Sequence, residues 1–148
     1  MGKEFIVKKL AESYEIQKSY DNRNYFEAVM KCRSYLESWL LEYIYAILYP
    51  TTAQTNKKNR EQVESQFNSM FIQLTWLLQQ NYIAKKDYDN MNKIRIFCDD
   101  VINKGNALKV APMNILNGYI EATVHYCYML KENTRVVIEK ATGQKIQF

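Results

Sequence analysis

Apolar side chains recur at spacings of three and four residues along most of the chain, which is the period of an amphipathic α-helix. The pattern predicts five helices, over about residues 3–20, 25–49, 60–80, 87–104 and 112–130. Helix-breaking residues are scarce, with 4 glycines and 2 prolines among 148 residues. This scarcity favours helices over a many-turned β-sandwich. We therefore expect an all-α fold, an antiparallel bundle of about five helices.

The second predicted helix carries the most apolar segment of the chain, "SYLESWLLEYIYAILY", over residues 34–49. Its buried face is predicted to contain Val29, Cys32, Leu36, Leu40, Tyr43 and Ile47. Its solvent-facing side is predicted to contain Glu27, Lys31, Ser34, Ser38, Glu42 and Tyr45. The core of the whole bundle is predicted to include Leu36, Trp39, Phe67, Leu74, Ile94, Cys98, Ile120 and Cys127.

The C-terminal segment "TRVVIEKATGQKIQF" has a different pattern. Its β-branched run at residues 135–140 and the following Thr142–Gly143 pair indicate a small β-hairpin. A disordered or partner-docked tail fits the same segment equally well. The sequence therefore predicts a helical bundle over residues 1–133, followed by a hairpin or a tail over residues 134–148.

Charge and apolar runs restrict the cellular location and the class of partner. The net charge of +4 is mild, so it permits contact with an anionic surface but is low for an obligate nucleic-acid binder. The N-terminal segment lacks the pattern of a signal peptide. Glu37 and Glu42 interrupt the longest apolar run, which is too short to span a bilayer. We expect a cytoplasmic protein without membrane contact.

Three cysteines, Cys32, Cys98 and Cys127, lie far apart in the chain, each within an apolar helical pattern. Their odd number and wide spacing argue against a disulfide framework, and we expect buried thiols in a reducing compartment. The chain has no CxxC pair and a single histidine, so a zinc site is not predicted. No cofactor or metal is expected.

Motifs typical of enzymes are absent, including glycine-rich phosphate loops, HExxH and GxSxG. The side chains considered for catalysis are Arg33, Glu37 and His125. Arg33 and Glu37 are spaced i, i+4, which indicates an ion pair at the edge of the core. His125 follows Glu121 by one helical turn on a predicted surface flank. No residue is therefore assigned a catalytic role.

Two segments resemble HEPN domains, in particular the abortive-infection C-terminal type. In "YFEAVMKCRSYLESWLLEYIYAIL", residues 32–37 (CRSYLE) are similar to the "Ala-Arg-Thr-Leu-Leu-Glu" helix of that family. In "VINKGNALKVAP", Asn103 matches the family's asparagine, and Gly105 with Asn106 matches its turn. The resemblance covers about residues 5–132. It implies a helical domain that forms a homodimer through the helices beside this motif turn.

The same segment departs from the family at the positions that carry its chemistry. The resemblance implies that catalytic HEPN ribonucleases use an arginine and a histidine on RNA without a metal. Here Ile102 stands at the arginine position, and Leu108 or Val110 stands at the histidine position. Apolar side chains cannot transfer a proton or stabilise a developing anion. Lys104 and Lys109 could still attract phosphate as point charges.

Three functions remain open from the sequence. The first is a non-catalytic HEPN-like interaction domain that binds a protein partner in a bacterial or phage conflict system (defence, toxin–antitoxin or abortive infection). The second is a metal-independent endoribonuclease toxin with displaced catalytic residues, which requires Arg33, Arg95 or His125 to converge in space. The third is a small immunity or anti-defence inhibitor. We expect the first, with weak RNA binding at most and no RNA cleavage.

Overall fold

The computed structural model describes residues 14–51, 56–104 and 113–146. These ranges contain six helices: α1 Tyr14–Asp21, α2 Tyr25–Leu48, α3 Lys57–Gln66, α4 Met70–Gln79, α5 Lys85–Lys104 and α6 Met113–Thr142. They contain no β-strand, which confirms the prediction of an all-α helical bundle. The segment of the first predicted helix before Tyr14 lies outside the described residues. None of the helices in these ranges has the length and apolar character that crossing a membrane requires.

Helix α2 lies at the centre of the bundle and contacts each of the other five helices. Its apolar side chains and those of its neighbours form one main core. All eight side chains predicted to be in that core are at most 8% exposed: Leu36, Trp39, Phe67, Leu74, Ile94, Cys98, Ile120 and Cys127. The helical period therefore identifies these eight core positions correctly.

The solvent-facing side predicted for α2 is wrong in its C-terminal half. Glu42 belongs to that predicted side, yet it is only 3% exposed, and Tyr45, which lies on the same side but whose burial the sequence leaves open, is 1% exposed. The guanidinium of Arg60 in α3 contacts both side chains. Because α3 covers the side that the periodic pattern assigns to water, residues 42–46 are all buried.

The third predicted helix is two helices, α3 and α4. Phe67 ends α3, and Ser69 caps α4 by accepting a hydrogen bond of 3.2 Å from the backbone N–H of Ile72. Such a cap satisfies a backbone donor that the first turn of a helix leaves free. The apolar spacing hides this break because the buried side chains keep the same register on both sides of it: Val63, Phe67, Met70, Leu74 and Leu77.

The predicted C-terminal hairpin or tail is also wrong, since α6 continues through residue 142. Two forces outweigh the low helix propensity of the β-branched run. Ile138 is fully buried against Ala46 and Ile146, and Arg135 lies 2.6 Å from a carboxylate oxygen of each of Glu132 and Glu139. The Thr–Gly pair ends the helix instead of turning a hairpin. Gly143 has a φ of +70°, the left-handed conformation that suits glycine just after a helix.

Candidate functional site

Arg33 meets a carboxylate of α5 in addition to its predicted partner on α2. Its Nη1 atom lies 2.8 Å from Oδ1 of Asp99, whereas its Nη2 atom lies 3.8 Å from Oε2 of Glu37. All three side chains are about 30% exposed. The Nε atom of Arg33 is buried and has no hydrogen-bond partner among the described residues. The interhelical pair is thus the shorter of the two contacts, and it joins α2 to α5 at a half-exposed position.

Arg95 approaches the same carboxylate from within α5. Its Nη1 atom lies 3.5 Å from Oδ2 of Asp99, and its Nε atom donates a hydrogen bond of 2.9 Å to Oδ1 of Asn92. Its guanidinium also lies 5.5 Å from the ring centre of Phe71 in α4. We call Arg33, Glu37, Arg95 and Asp99 the Asp99 cluster. Its two positive charges are matched by two carboxylates.

His125 lies elsewhere, in a groove between α5 and α6 with a volume of about 810 Å³. We call it the α5–α6 groove. Its lining includes Asn90, Lys93, Ile115, Gly118, Glu121 and His125. The imidazole is exposed and makes an edge-to-face contact with Tyr126, with 5.0 Å between ring centres. No hydrogen bond or ion pair joins His125 to Arg33 or Arg95 among the described residues.

Aromatic side chains hold the two walls of this groove together. The rings of Phe97 and Tyr119 stack with their centres 4.2 Å apart. The Tyr126 hydroxyl accepts a hydrogen bond of 2.8 Å from Asn90 and donates one of 3.2 Å to Asp87. Burial raises the pKa of Tyr126, and Asp87 raises it further, against the opposing effect of Asn90. The phenol is therefore neutral at physiological pH and serves to position α6 against α5.

Gly118 leaves one wall of the groove open. A Cβ atom added at this position would meet no other atom within 4 Å. The helical residue therefore has room for a side chain on the groove side, although glycine lowers helix stability by about 0.5–1 kcal/mol relative to alanine. The open space at Gly118 is available to a bound partner.

The motif turn is only partly within the described residues. Asn103 and Lys104 are exposed at the end of α5, and the Lys104 ammonium lies 3.7 Å from Oδ1 of Asp100. Gly105, Asn106 and Lys109 lie outside the described residues. The remaining predicted phosphate contact, Lys104, is therefore an exposed cation with a nearby carboxylate.

The three cysteines are buried free thiols, as predicted. Burial raises the pKa of Cys32 to about 11 and that of Cys127 to about 12, and it also raises the pKa of Cys98. These thiols are therefore protonated and chemically inert near neutral pH. In the described parts of the chain, no group of three or more histidine, cysteine or acidic side chains is placed to hold a metal ion.

A buried ion pair between α2 and α3 is absent from the sequence prediction. The two Nη atoms of Arg60 donate hydrogen bonds of 2.6 and 2.7 Å to the carboxylate of Glu42. The guanidinium also lies 4.5 Å from the ring centre of Tyr45. The sequence does contain a signal for this ion pair: Glu42 lies in a nearly continuous apolar run, which is typical of a helix buried on every side. A carboxylate there requires a partner.

No protein-family model matches the chain, and no curated protein or solved structure matches it either.

Proposed function

We propose that this chain is a non-catalytic HEPN-like interaction domain that binds a protein partner in the α5–α6 groove. It acts in a bacterial or phage conflict system, such as defence, toxin–antitoxin or abortive infection. This biological setting is supported by the resemblance of residues 32–37 and of the segment that begins at Val101. The choice of a binding role over a catalytic one is supported by the placement of the charged side chains.

The observation that carries the non-catalytic role is the separation of the imidazole from the two guanidiniums. Arg33 and Arg95 both lie against Asp99, whereas His125 lines the α5–α6 groove. General-base chemistry on an RNA 2′-hydroxyl needs the base and the anion-stabilising groups around one reacting centre. The two arginines do converge, as the ribonuclease alternative requires. However, both arginines are paired with carboxylates, and the imidazole of His125 does not join them among the described residues.

The chemistry of the groove favours a protein partner. Ile115 and Tyr119 supply apolar and aromatic surface, while Lys93 and Glu121 supply charges of both signs. Protein interfaces combine an apolar, aromatic centre with a polar rim in this way. A nucleic acid would instead require a concentration of positive charge. RNA binding through Lys104 and Lys109 is accordingly weak and sensitive to salt.

Contacts between neighbouring helices support the antiparallel arrangement that belongs to this proposal. Along α2, Arg33 pairs with Asp99 while Tyr43 donates a hydrogen bond to the carbonyl of Tyr82, just before α5. From residue 33 to residue 43 of α2, the contacted residue changes from 99 to 82. This is the order expected when α2 and α5 run in opposite directions. The resemblance additionally implies a homodimer that uses α5 or α6.

The absence of catalysis is tested with the purified protein and a general RNA substrate without added metal. We expect no cleavage over hours at micromolar enzyme. Cleavage that disappears in both His125→Ala and Arg33→Ala would contradict the proposal and establish an endoribonuclease. Cleavage that survives both substitutions identifies a contaminating nuclease, and repurification then removes it.

The role of the groove is tested by two substitutions at one open position. Gly118→Gln places a side chain in the groove, while Gly118→Ala adds only a methyl group to the same helix. We expect capture of a partner from host extract to fall at least tenfold with Gly118→Gln and to remain unchanged with Gly118→Ala. Equal capture by both variants would show that the partner binds elsewhere.

A further inference from the structure

The two walls of the α5–α6 groove carry opposite charges that form no ion pair with the described residues. Lys93 lies on the α5 wall and is exposed. Asp89, one turn before it, pairs with Lys85 instead. Glu121 lies on the α6 wall, where it accepts a hydrogen bond of 3.3 Å from the side-chain amide of Asn117. Both charges are therefore available to a bound partner.

The helical period of α6 places these charges on either side of a floor of small residues. Tyr119 packs against α5 through its stacked ring. Glu121 follows it by two residues and so points to the far edge of α6, since each residue turns the helix by about 100°. Gly118 and Ala122 lie between these two directions and line the groove. The space above them is bounded by Lys93 on one side and by Glu121 on the other.

The groove has the dimensions of a helical segment. Its lining on α6 extends from Ile115 to Tyr126, a rise of about 17 Å at 1.5 Å per residue, or three turns. Ile115 is 45% exposed, so it provides apolar surface at one end of the floor. Two packed helices approach to about 8–10 Å between their axes, and the shortest distances require small side chains such as those of Gly118 and Ala122.

The helical walls decide which kind of protein segment fits between them. The backbone N–H and C=O groups of α5 and α6 bond to each other within each helix. An extended segment would therefore bury its own backbone groups without partners, which is unfavourable. The Asn90 side chain cannot replace them through its amide N–H, because it already donates to the Tyr126 hydroxyl. A helix satisfies its backbone internally and presents only side chains to a groove.

We propose that the α5–α6 groove binds an amphipathic helix of the partner protein. The apolar stripe of that helix lies over Ile115, Gly118 and Ala122. One flank of the helix is acidic and faces Lys93, and the other flank is basic and faces Glu121. This inference rests on the proposed function and names the chemistry of the partner.

The probes are stapled helical peptides of about 14 residues, or four turns. The staple is needed because isolated helices of this length are marginally stable in water. Three peptides share one stripe of leucines and differ only in their flanks. The mixed peptide has glutamates on one flank and lysines on the other, while the acidic and basic peptides have the same residue on both flanks. A fourth peptide is the mixed one without its staple and with a central proline, which breaks the helix.

Affinities are measured by fluorescence anisotropy at low salt, where charges are screened least. We expect the wild type to bind the mixed peptide about fivefold more tightly than the acidic or basic one, as exposed charge pairs allow. Lys93→Glu should prefer the basic peptide, and Glu121→Lys should prefer the acidic one. Lys140→Glu is the matched control, because Lys140 is exposed on α6 outside the groove, and it should keep the wild-type order.

Several results would overturn the proposal. One is a wild type that binds the proline peptide as tightly as the mixed peptide, since the bound segment then need not be helical. Another is a wild type that binds the three helical peptides equally, or none of them at hundreds of micromolar. A third is a molar mass that rises from 17.6 kDa towards twice that value in the wild type but not in Gly118→Gln. That result would place a second copy of the chain in the groove.

The two proposals fail in different ways. Gly118→Gln should weaken binding of the mixed peptide at least tenfold, whereas Gly118→Ala should not change it. If Gly118→Gln reduces partner capture but the peptides show no order of preference, the groove remains the binding site and the charged helical partner is wrong. If both Gly118 variants capture the partner equally, the proposed function itself is wrong, whatever the peptides show.

Discussion

Two arginine–carboxylate sites join α2 to a neighbouring helix, and they differ chiefly in burial. Arg60 and Glu42 are 18% and 3% exposed, and two hydrogen bonds of 2.6 and 2.7 Å connect them. Arg33 and Asp99 are 31% and 29% exposed, with one contact of 2.8 Å. The Glu42 carboxylate is isolated from water beside α3, whereas both charges of the Arg33–Asp99 pair are partly hydrated.

This difference in burial predicts that the Glu42–Arg60 pair is required for the stability of the fold and that the Asp99 cluster is not. A buried charge that loses its partner cannot be solvated, so removal of one member of such a pair is strongly destabilising. A half-exposed charge recovers much of its hydration when its partner is removed. The Glu42–Arg60 pair therefore fixes the fold around α3, whereas the Asp99 cluster can change with little effect on the fold.

The largest expected effect is that of Arg60→Ala. The substitution leaves the Glu42 carboxylate buried without its partner, and we expect the free energy of unfolding to fall by about 3–5 kcal/mol. Urea denaturation followed by circular dichroism measures it. Lys57→Ala is the control on the same helix, because Lys57 is 90% exposed and lies 4.0 Å from Glu61. A loss below about 1 kcal/mol for Arg60→Ala would remove the distinction between the two sites.

The double variant Glu42→Met with Arg60→Met sharpens this result. Buried ion pairs are often no more stabilising than apolar side chains of similar volume. We expect the double variant to recover most of the stability that Arg60→Ala loses. If it is as unstable as the single variant, the pair contributes a net attraction that apolar packing cannot replace.

The second expected effect concerns ionisable groups that are buried without any opposite charge. Burial raises the pKa of Cys32 from 9.0 to about 11 and that of Cys127 from 9.0 to about 12. Above pH 9 the unfolded thiols lose protons that the folded thiols keep. The folded state then binds more protons, so the free energy of unfolding falls as the pH rises.

This decline should run from about pH 9 to about pH 11 for Cys32 and to about pH 12 for Cys127, with a slope of at most about 1.4 kcal/mol per pH unit for each thiol. Denaturation midpoints at several pH values measure it. Cys127→Ala should lower the slope, although it also lowers the stability at neutral pH. A stability that is independent of pH above 9 would contradict the burial of these thiols.

Most of the buried helix positions could be predicted from the sequence, because residues on one face of a helix recur at spacings of three and four. The spacing of Val63, Phe67 and Leu74 identified buried positions correctly even though α3 and α4 are separate. The break itself depends on a single cap at Ser69, which a periodic pattern does not register. In the same way, the Thr142–Gly143 pair is compatible with a hairpin turn or a helix end, and the packing of Ile138 decides between them.

The contacts of the candidate site were less predictable because they join residues that are distant in the chain. Arg33 and Glu37 share a helix, so their pairing follows from spacing alone. The shorter contact, from Arg33 to Asp99, depends on how α2 packs against α5. The burial of Glu42 likewise depends on α3 covering it. The placement of His125 in the α5–α6 groove also required the helix arrangement, although its exposure followed from its position on α6.

The smallest expected effect is that of Asp99→Asn, at the half-exposed site. The substitution removes the carboxylate that both Arg33 and Arg95 contact, and we expect a loss of up to about 1 kcal/mol, as is typical of exposed ion pairs. The loss should shrink as salt screens the pair. Asp100→Asn is the matched control, because Asp100 is the next residue, is 53% exposed and lies 3.7 Å from Lys104. Urea denaturation of both variants at low and high salt separates them. With the Asp99 carboxylate gone, the cluster keeps two guanidiniums and only the carboxylate of Glu37, so Asp99→Asn should retain RNA more strongly than the wild type at low salt. A loss as large as that of Arg60→Ala would show that the Asp99 cluster is as structural as the buried pair.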